Sequence, residues 1–215
     1  MYNITLIFTH HSENGKCNSD ELYKIIELFN PEVIFDERPI DHNPDTLESK
    51  SLEKYKQNHN IEIIPVDIYI KPKLGGSYMF LEFLKHSEGY KEIFNERDSL
   101  IALEGFYYLN SGKFFELDEK QKITENQLID NNAFYKDELR LTYNSFLEDI
   151  DTRENAMIQN ICNYSKENQY NQAVFLIGAG HRKSIIPKII EYEKTSEIKL
   201  NWSMYVPPLS TSNCV

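Results

Sequence analysis

Five ionisable residues follow predicted strands or open a predicted helix. They are His11, Glu37, Asp67, Arg153 and His181. Because the carboxyl ends of parallel strands form the ligand crevice of an open α/β sheet, these side chains are expected to meet in one pocket. Imidazole, carboxylate and guanidinium groups together can transfer a proton, orient a water and hold an oxyanion. The set therefore predicts hydrolysis, or the binding of a ligand without turnover.

The sequence THHS at residues 9–12 places two histidines at the end of the first predicted strand. Side chains alternate along a strand, so His10 and His11 point in opposite directions and one of them is expected to face the pocket. A histidine in that position can act as a base or ligate a metal. We assign His11 to catalysis or metal binding, and His10 to substrate contact.

Charged residues also follow the second and third predicted strands. Glu37 comes directly after the run VIFD, where a carboxylate can bind a metal, orient a water or act as a base. Arg38 is either a substrate ligand or one member of a surface ion pair. Asp67 is either part of the site or an ordinary turn and cap residue.

A glycine-rich turn and an arginine complete the predicted site. Gly178 and Gly180 precede His181 in the segment GAGH, where small residues let a ligand approach the backbone and the next helix offers free N–H groups. Arg153 is predicted in the first turn of a helix capped by Asp151, a poor place for a cation in the field of the helix dipole. An arginine there can hold a ligand oxygen through two hydrogen bonds.

The order of the elements predicts an α/β fold with a mostly parallel central sheet flanked by helices. Short apolar runs predict strands at residues 4–9, 33–36, 61–66, 173–179 and 198–206. Helical spacing follows several of them, for example after Asn18, which with Glu21 resembles a capping box. Such alternation implies parallel strands joined by right-handed crossovers. Residues 1–215 are expected to form a single α/β domain.

The alternation of strands and helices stops between residues 74 and 150. Segments in this region such as SLIALEGFYYL and ELRLTYNSFLEDI have helical spacing, and no convincing strand separates them. We predict a helical insertion that covers the C-terminal edge of the sheet and can act as a lid.

Composition narrows the classes of function. The chain has 23 basic and 34 acidic residues, and its formal charge of -11 disfavours nucleic acid and anionic lipid as partners. The three cysteines form no CxxC pair. No apolar run approaches the roughly 20 residues that span a bilayer. We expect a cytoplasmic protein with no integral membrane segment, acting on a small molecule or a peptide.

Four segments of the chain resemble the motifs of a known superfamily. The segments HS at residues 11–12, PEVIFDERP, RENAMIQNI and AVFLIGAGHRKSIIPKI are similar, in that order, to those of the TraB/Tiki-like and erythromycin-esterase/ChaN-like superfamily. The similarity spans residues 4–38 and 153–190. Phe8 stands where glycine is usual, His10 where a small residue is common, and Glu154 where aspartate is usual.

The resemblance implies which positions correspond to functional residues of the superfamily. His11 corresponds to the first histidine, Glu37 to the glutamate, Arg153 to the helix arginine and His181 to the last histidine. Its members include membrane-associated metal-dependent peptidases, metal-independent esterases and haem binders. The resemblance therefore implies a fold more firmly than a reaction.

The leading hypothesis is a hydrolase of ester or amide bonds. His11 and His181 would act as bases or metal ligands, Glu37 would orient the attacking water, and Arg153 would stabilise the oxyanion. A third possibility is a metal-dependent peptidase. Two histidines and two carboxylates suit a borderline divalent ion such as manganese, cobalt or zinc, and the predicted ligands are His11, Glu37 and His181. No serine or cysteine stands in a recognisable nucleophile elbow, which disfavours a covalent acyl-enzyme.

The alternative hypothesis is a protein that binds haem or another ligand and turns nothing over. Aromatic residues of the insertion either line an apolar ligand pocket or form ordinary core. These residues are Tyr78, Phe80, Phe83, Phe106, Tyr107, Tyr108, Phe114 and Phe115.

Overall fold

The computed structural model describes residues 2–38, 44–70 and 82–208. Within these residues, five strands form one sheet in which all neighbouring strands are parallel. The strands are β1 (Tyr2–Thr9), β2 (Val33–Asp36), β3 (Glu62–Pro65), β4 (Gln172–Gly178) and β5 (Leu200–Met204). Their order across the sheet is β3-β2-β4-β1-β5. The predicted α/β fold with a mostly parallel central sheet is confirmed.

Helices flank the sheet and fill the long connection between β3 and β4. Within the described residues they are α1 (Ser19–Phe29), α2 (Leu47–Asn58), α3 (Glu88–Glu104), α4 (Phe106–Leu109), α5 (Gly112–Asp130), α6 (Lys136–Glu167) and α7 (Arg182–Thr195). A short 3-10 turn, Ala179–His181, joins β4 to α7. None of these described helices is both long and apolar enough to cross a lipid bilayer.

The centre of the sheet is built from apolar residues buried on both faces. The adjacent strands β1 and β4 are buried along almost their whole length. Continuous apolar runs of this kind are typical of parallel strands that helices cover on both sides. Pairing runs from Asn3 with Gln172 to Thr9 with Gly178, so the two strands end at the same level. This register brings the segments that follow Thr9 and Gly178 together at one edge of the sheet.

The predicted start of α1 is confirmed. The Asn18 side chain accepts a hydrogen bond from the Glu21 backbone N–H at 3.0 Å, as expected for a helix N-cap. The helix ends at Asn30, whose φ of 42° lies in the left-handed region that terminates many helices. Its inward face, which includes Leu22 and Ile26, is buried in the core.

The helix that carries Arg153 begins earlier than predicted. α6 runs without a break for 32 residues, so Arg153 lies inside the helix and not in its first turn. The predicted cap at Asp151 was therefore wrong. Residues 136–152 contain no glycine or proline, which are the residues that most often end a helix. The helix therefore continues through Asp151 and Thr152, although this sequence resembles a helix start. Thr152 instead donates its hydroxyl proton to the Glu148 carbonyl inside the helix, at 2.8 Å.

Residues 82–150 of the predicted insertion are largely helical, and residues 74–81 lie outside the described residues. The insertion reaches the end of β1 through the Asn110 side chain, which accepts from the Phe8 N–H and donates to the Phe8 carbonyl, both at 3.0 Å. The pairing of β5 with β1 ends at Leu6, two residues before Phe8. The Asn110 amide therefore binds the Phe8 backbone groups that a longer β5 would bind. The insertion therefore covers the C-terminal edge of β1, whereas its action as a lid stays a prediction.

A buried arginine joins the insertion to the start of α7. The Arg182 guanidinium donates to the backbone carbonyls of Leu109, Asn110 and Ser111 at the end of α4. These are carbonyls that a helix end leaves without a partner. The Phe8 ring lies 5.2 Å from the guanidinium carbon and supplies a further favourable contact for the cation. The insertion, β1 and α7 are thereby joined beside the site.

Replacing Asn110 by alanine should destabilise the protein by about 2–4 kcal/mol, because the buried N–H and carbonyl of Phe8 would both lose their partner. Urea unfolding of the purified variant measures this change. Asn58→Ala is the control, since the Asn58 side chain is exposed and bonds mainly within its own helix. Equal stability of the two variants would contradict the role given to Asn110.

Candidate functional site

The carboxylate of Glu37, one residue beyond β2, lies at the centre of the site. Its Oε1 lies 3.0 Å from His11 Nε2, and its Oε2 accepts the Gly178 backbone N–H at 2.5 Å. His181 Nε2 lies 4.0 Å from the same Oε2. The structure thus brings together His11, Glu37 and His181, three of the four predicted catalytic residues. Burial alone raises the pKa of Glu37, but the hydrogen bond from His11 and nearby positive charge hold it below its ordinary value.

His11 is held between two carboxylates. Its Nε2 faces Glu37, and its Nδ1 lies 3.1 Å from Glu48 Oε1 in the first turn of α2. The two hydrogen bonds raise the pKa of His11 to about 10, against a smaller opposing effect of burial. Glu48 is buried, and the contacts from His11 and Thr9 bring its pKa down to about 2. His11 is therefore a cation at neutral pH, with both ring nitrogens protonated.

Among the described residues, His181 is hydrogen-bonded through Nδ1, while its Nε2 has only the 4.0 Å contact with Glu37. Its Nδ1 lies 2.7 Å from Oε1 of Glu154, a fully buried residue of α6. Glu154 also accepts hydrogen bonds from the Ser184 hydroxyl at 2.6 Å and the Lys188 ammonium at 2.7 Å. These donors outweigh burial and lower the pKa of Glu154. A neutral His181 therefore carries its proton on Nδ1, and the lone pair on Nε2 faces the space beside Glu37.

Arg153 and Asp67 form a bidentate ion pair at the end of β3. Arg153 Nε lies 2.9 Å and Nη2 lies 2.6 Å from Asp67 Oδ2. Asp67 also accepts the Ile68 backbone N–H at 2.8 Å, so its carboxylate is used within the protein and not offered to a ligand. Nη1 of Arg153 makes no hydrogen bond to the described residues. The side chain is one third exposed, and Arg153 lines a cavity that His181 also lines.

The two glycines of the GAGH turn have different surroundings. A Cβ atom added to Gly178 would lie 3.1 Å from Glu37 Oε1 and 3.3 Å from His11 Nε2. The Gly178 position is therefore filled by the Glu37 carboxylate instead of a ligand. A Cβ added to Gly180 would meet nothing within 4 Å, and Gly180 lines both cavities described below. Gly180 is thus the glycine that lies open to a ligand.

Arg38, predicted as a substrate ligand, is bound inside the protein. Its guanidinium is buried and donates to Asp36, Thr46 and Ser49. These bonds tie the end of β2 to the start of α2, and so hold Glu48 in place. The structure does not bring Arg38 to the cavity, and its position favours an internal ion pair over a surface one.

Two adjoining cavities open at this edge of the sheet. The smaller, about 270 Å³, is lined by Thr9, His10, His11, Arg97, Ile101, Leu109, Phe114, Gly178, Ala179, Gly180 and His181. The larger, about 470 Å³, extends between the insertion and α7 and is lined in part by Arg153, Glu154, Ser184 and Lys188. Arg97, Gly180 and His181 line both. His181 therefore stands at the junction of a two-part cleft, and His10, whose Nδ1 lies 2.9 Å from the Ser12 carbonyl, stands at its rim.

The predicted metal ligands do not fit a metal ion in this arrangement. A histidine must offer a lone pair to ligate, and both nitrogens of His11 face carboxylates. In the described part of the chain, no three His, Cys, Asp or Glu side chains are placed to hold an ion. Because both ring nitrogens of His11 face carboxylates, His11 also has no free lone pair for haem iron. Metal or haem binding by these residues stays a prediction.

The aromatic residues of the insertion mostly contribute to packing. Phe106, Tyr108 and Phe114 belong to the main core, although Phe114 also lines the smaller cavity. Phe83 packs against a smaller separate cluster. Tyr78 and Phe80 lie outside the described residues. An apolar pocket built mainly from these rings is therefore not the principal feature of the cleft.

Sequence reasoning missed several residues that the structure places at the site. Glu48 and Arg97 gave no signal in the sequence, because each lies on a helix whose packing against the strand ends is a tertiary feature. Glu154 was identified from the sequence only as a residue that stands where aspartate is usual in the superfamily. Its place beside Arg153 in α6, one turn from the buried Met157, did offer a signal that the side chain points inward.

Comparison of the chain with protein families, curated proteins and solved structures found no match. The resemblance to the TraB/Tiki-like and erythromycin-esterase/ChaN-like superfamily therefore stays a prediction. Fold and site together describe an α/β protein with two histidine–carboxylate clusters at the carboxyl ends of a parallel sheet.

Gly178→Ala should separate the Glu37 carboxylate from the His11 ring, because the new methyl group would lie in contact with both. We expect a lower unfolding temperature and a pKa of His11 that moves down toward its ordinary value, measured by NMR titration of the imidazole. Gly180→Ala is the matched control, since its methyl group would meet open space. An unshifted His11 in Gly178→Ala would show that the pair does not depend on this close approach.

Stability should depend on pH through His11. Its pKa in the folded protein is about 10 against 6.5 for the ordinary side chain, so its contribution is complete below pH 6.5 and is lost as the pH rises to about 10. The effect is reduced by solvent, because the side chain is about half exposed. Urea unfolding across this range should show the stability advantage of the wild type over His11→Gln shrinking with pH. A constant difference would contradict the assignment.

Proposed function

We propose that this protein is a hydrolase of ester or amide bonds that uses His181 as its general base. The observation that carries the proposal concerns His181, which lines the cleft. Its Nδ1 is bound to the buried Glu154, while its Nε2 makes no hydrogen bond to the described residues. A base needs a lone pair directed at the reacting proton, and a buried carboxylate on the other nitrogen stabilises the imidazolium that forms. His11 lacks such a lone pair.

The remaining residues suggest a direct attack by water. Nε2 of His181 takes a proton from a water in the cleft as the water oxygen bonds to the carbonyl carbon, and the C=O π electrons move to the carbonyl oxygen. When the C=O double bond re-forms, the C–O or C–N bond to the leaving group breaks, and the proton passes from His181 to the leaving oxygen or nitrogen. Glu37 lies 4.0 Å from Nε2, close enough to accept a hydrogen bond from the same water. Arg153 Nη1 and the His11 cation supply positive charge for the developing oxyanion.

A covalent acyl-enzyme is not supported by the geometry. Ser184 is a hydroxyl close to the base, and it donates to Glu154 Oε1 at 2.6 Å instead of facing His181 Nε2. An activated nucleophile would lie within hydrogen-bond reach of the free nitrogen of the base. The observed pairing therefore favours water as the nucleophile.

The proposal extends to the partners and the compartment. The cleft is of a size suited to a small molecule or the side chains of a short peptide, which we propose as substrates. Cys17 and Cys162 are buried free thiols, as expected in a reducing compartment, and we propose that the protein acts in the cytoplasm.

His181→Gln should lower kcat/KM on an ester or peptide substrate by at least about 100-fold, because the cleft would lose its base. Glu154→Gln should also lower the rate, since an amide cannot stabilise the imidazolium. Hydrolysis of a panel of 4-nitrophenyl esters and short peptides, before and after chelation and with added manganese, cobalt or zinc, is the measurement.

His86→Gln provides the control, because His86 is exposed and bonds only to the Glu82 carbonyl among the described residues. We expect it to keep full activity, and chelation to change nothing. Turnover that survives in His181→Gln, or that requires an added metal, would contradict this mechanism. Ligand binding without turnover in the wild type would favour the binding-protein alternative.

A further inference from the structure

Arg97 occupies a distinctive position in the cleft. It lies on α3 of the insertion and, with Gly180 and His181, lines both the smaller and the larger cavity. The side chain is partly buried, and its guanidinium carbon lies 5.3 Å from the Phe94 ring centroid. Any ligand whose reacting bond lies at His181 would therefore have part of its structure near this guanidinium.

The other cations that line the larger cavity are paired with carboxylates. Lys122 lies 2.9 Å from Asp118, Lys188 lies 2.7 Å from Glu154, and Arg153 binds Asp67 as described above. Each of these charges is therefore at least partly balanced, so each attracts a ligand carboxylate more weakly than an unpaired cation would.

Arg97, by contrast, has no carboxylate within ion-pair distance among the described residues. Its Nη1 donates to the neutral Oε1 of Gln121. The Gln121 amide nitrogen in turn donates to Glu125 Oε1 at 2.7 Å, which fixes the orientation of Gln121. Gln121 therefore positions the guanidinium without neutralising it.

This arrangement is unusual in a chain of net charge -11, where carboxylates outnumber cations. A partly buried guanidinium loses some of its hydration, and a neutral amide compensates only part of that loss. An anionic ligand would compensate the rest, and a carboxylate matches the planar donor pattern of arginine through two parallel hydrogen bonds.

The cavity wall opposite the polar residues is apolar. Phe146, Leu147 and Ile150 lie within about one turn of α6 and face the larger cavity. Phe146 is 44% and Leu147 is 40% exposed. Partly exposed apolar side chains lining a cavity that also holds polar groups are typical of a small-molecule site. The described part of the cleft thus combines apolar side chains with a cation, Arg97, that is not paired with a carboxylate.

We propose that Arg97 binds a carboxylate of the substrate, and that the substrate is a small ester or amide carrying this carboxylate on an apolar chain. The position of the cleaved bond rests on the proposed function, whereas the binding of the carboxylate by Arg97 does not.

Two readouts separate the inference from the proposed function. The first is the ratio of kcat/KM for mono-4-nitrophenyl glutarate to that for 4-nitrophenyl 5-methylhexanoate, a neutral ester of the same shape. The second, which needs no turnover, is the rise in unfolding temperature caused by glutarate, with glutaramide as the neutral control. Both are measured on the full chain as wild type, Arg97→Gln and Lys122→Gln.

We expect the wild type to prefer the carboxylate ester by about tenfold or more, in line with a charge-assisted bidentate contact. Arg97→Gln should lose this preference and the glutarate shift, whereas Lys122→Gln should keep both because Lys122 is already paired. If neither ester is hydrolysed but Arg97 is still required for the glutarate shift, the proposed function fails and the anion site stands. No glutarate shift in the wild type, or an equal shift in Arg97→Gln, would overturn the inference.

Discussion

The burial of the Glu37 carboxylate is the constraint on which the rest of the site depends. A charged group removed from water is costly unless charge and hydrogen bonds compensate it, and Glu37 is compensated by His11 and by the Gly178 backbone. His11 follows β1, Gly178 is the last residue of β4, and Glu37 follows β2. Because these three strands are parallel and end at similar levels, the sheet brings both partners to this carboxylate.

The same constraint gives the two histidines different chemistry. His11 compensates Glu37 on one side and Glu48 on the other, so it is held as a cation and contributes charge. His181 binds Glu154 through Nδ1 and its Nε2 stays 4.0 Å from Glu37, so this nitrogen makes no hydrogen bond to the described residues. The two histidines thus differ in their surroundings and not in residue type: His11 is the charged group and His181 is the proposed base. Other sites likewise use two titratable groups of one kind for two different roles.

Much of the fold and part of the site could be predicted from the sequence. Strand β2 and the cap at Asn18 were predicted correctly because they depend on local apolar runs and local hydrogen bonds. The meeting of His11, Glu37 and His181 followed from the rule that parallel strands end at one edge. Local patterns were sufficient to predict this meeting because every strand of a parallel sheet points the same way, so the residue after each strand lies at the same edge.

The parts of the fold and of the site that were predicted wrongly or missed depend on tertiary packing, which local sequence patterns do not predict. The helix start at Asp151 was wrong because a capping sequence acts only where the preceding chain is not helical. Arg38 looked like a ligand because its partners Thr46 and Ser49 lie eight and eleven residues further along the chain, at the start of α2. Arg97 reaches the cleft only because the insertion folds back over β1.

The most direct test of this account is the protonation state of the His11 ring, measured by nitrogen NMR of the imidazoles in the wild-type protein at about pH 8. The account predicts that both ring nitrogens of His11 still carry protons there, because two carboxylates raise its pKa to about 10. Resonances are assigned by comparison with His11→Gln. A neutral His11 ring at that pH, titrating near the ordinary 6.5, would contradict the paired-carboxylate arrangement and the assignment of the base to His181.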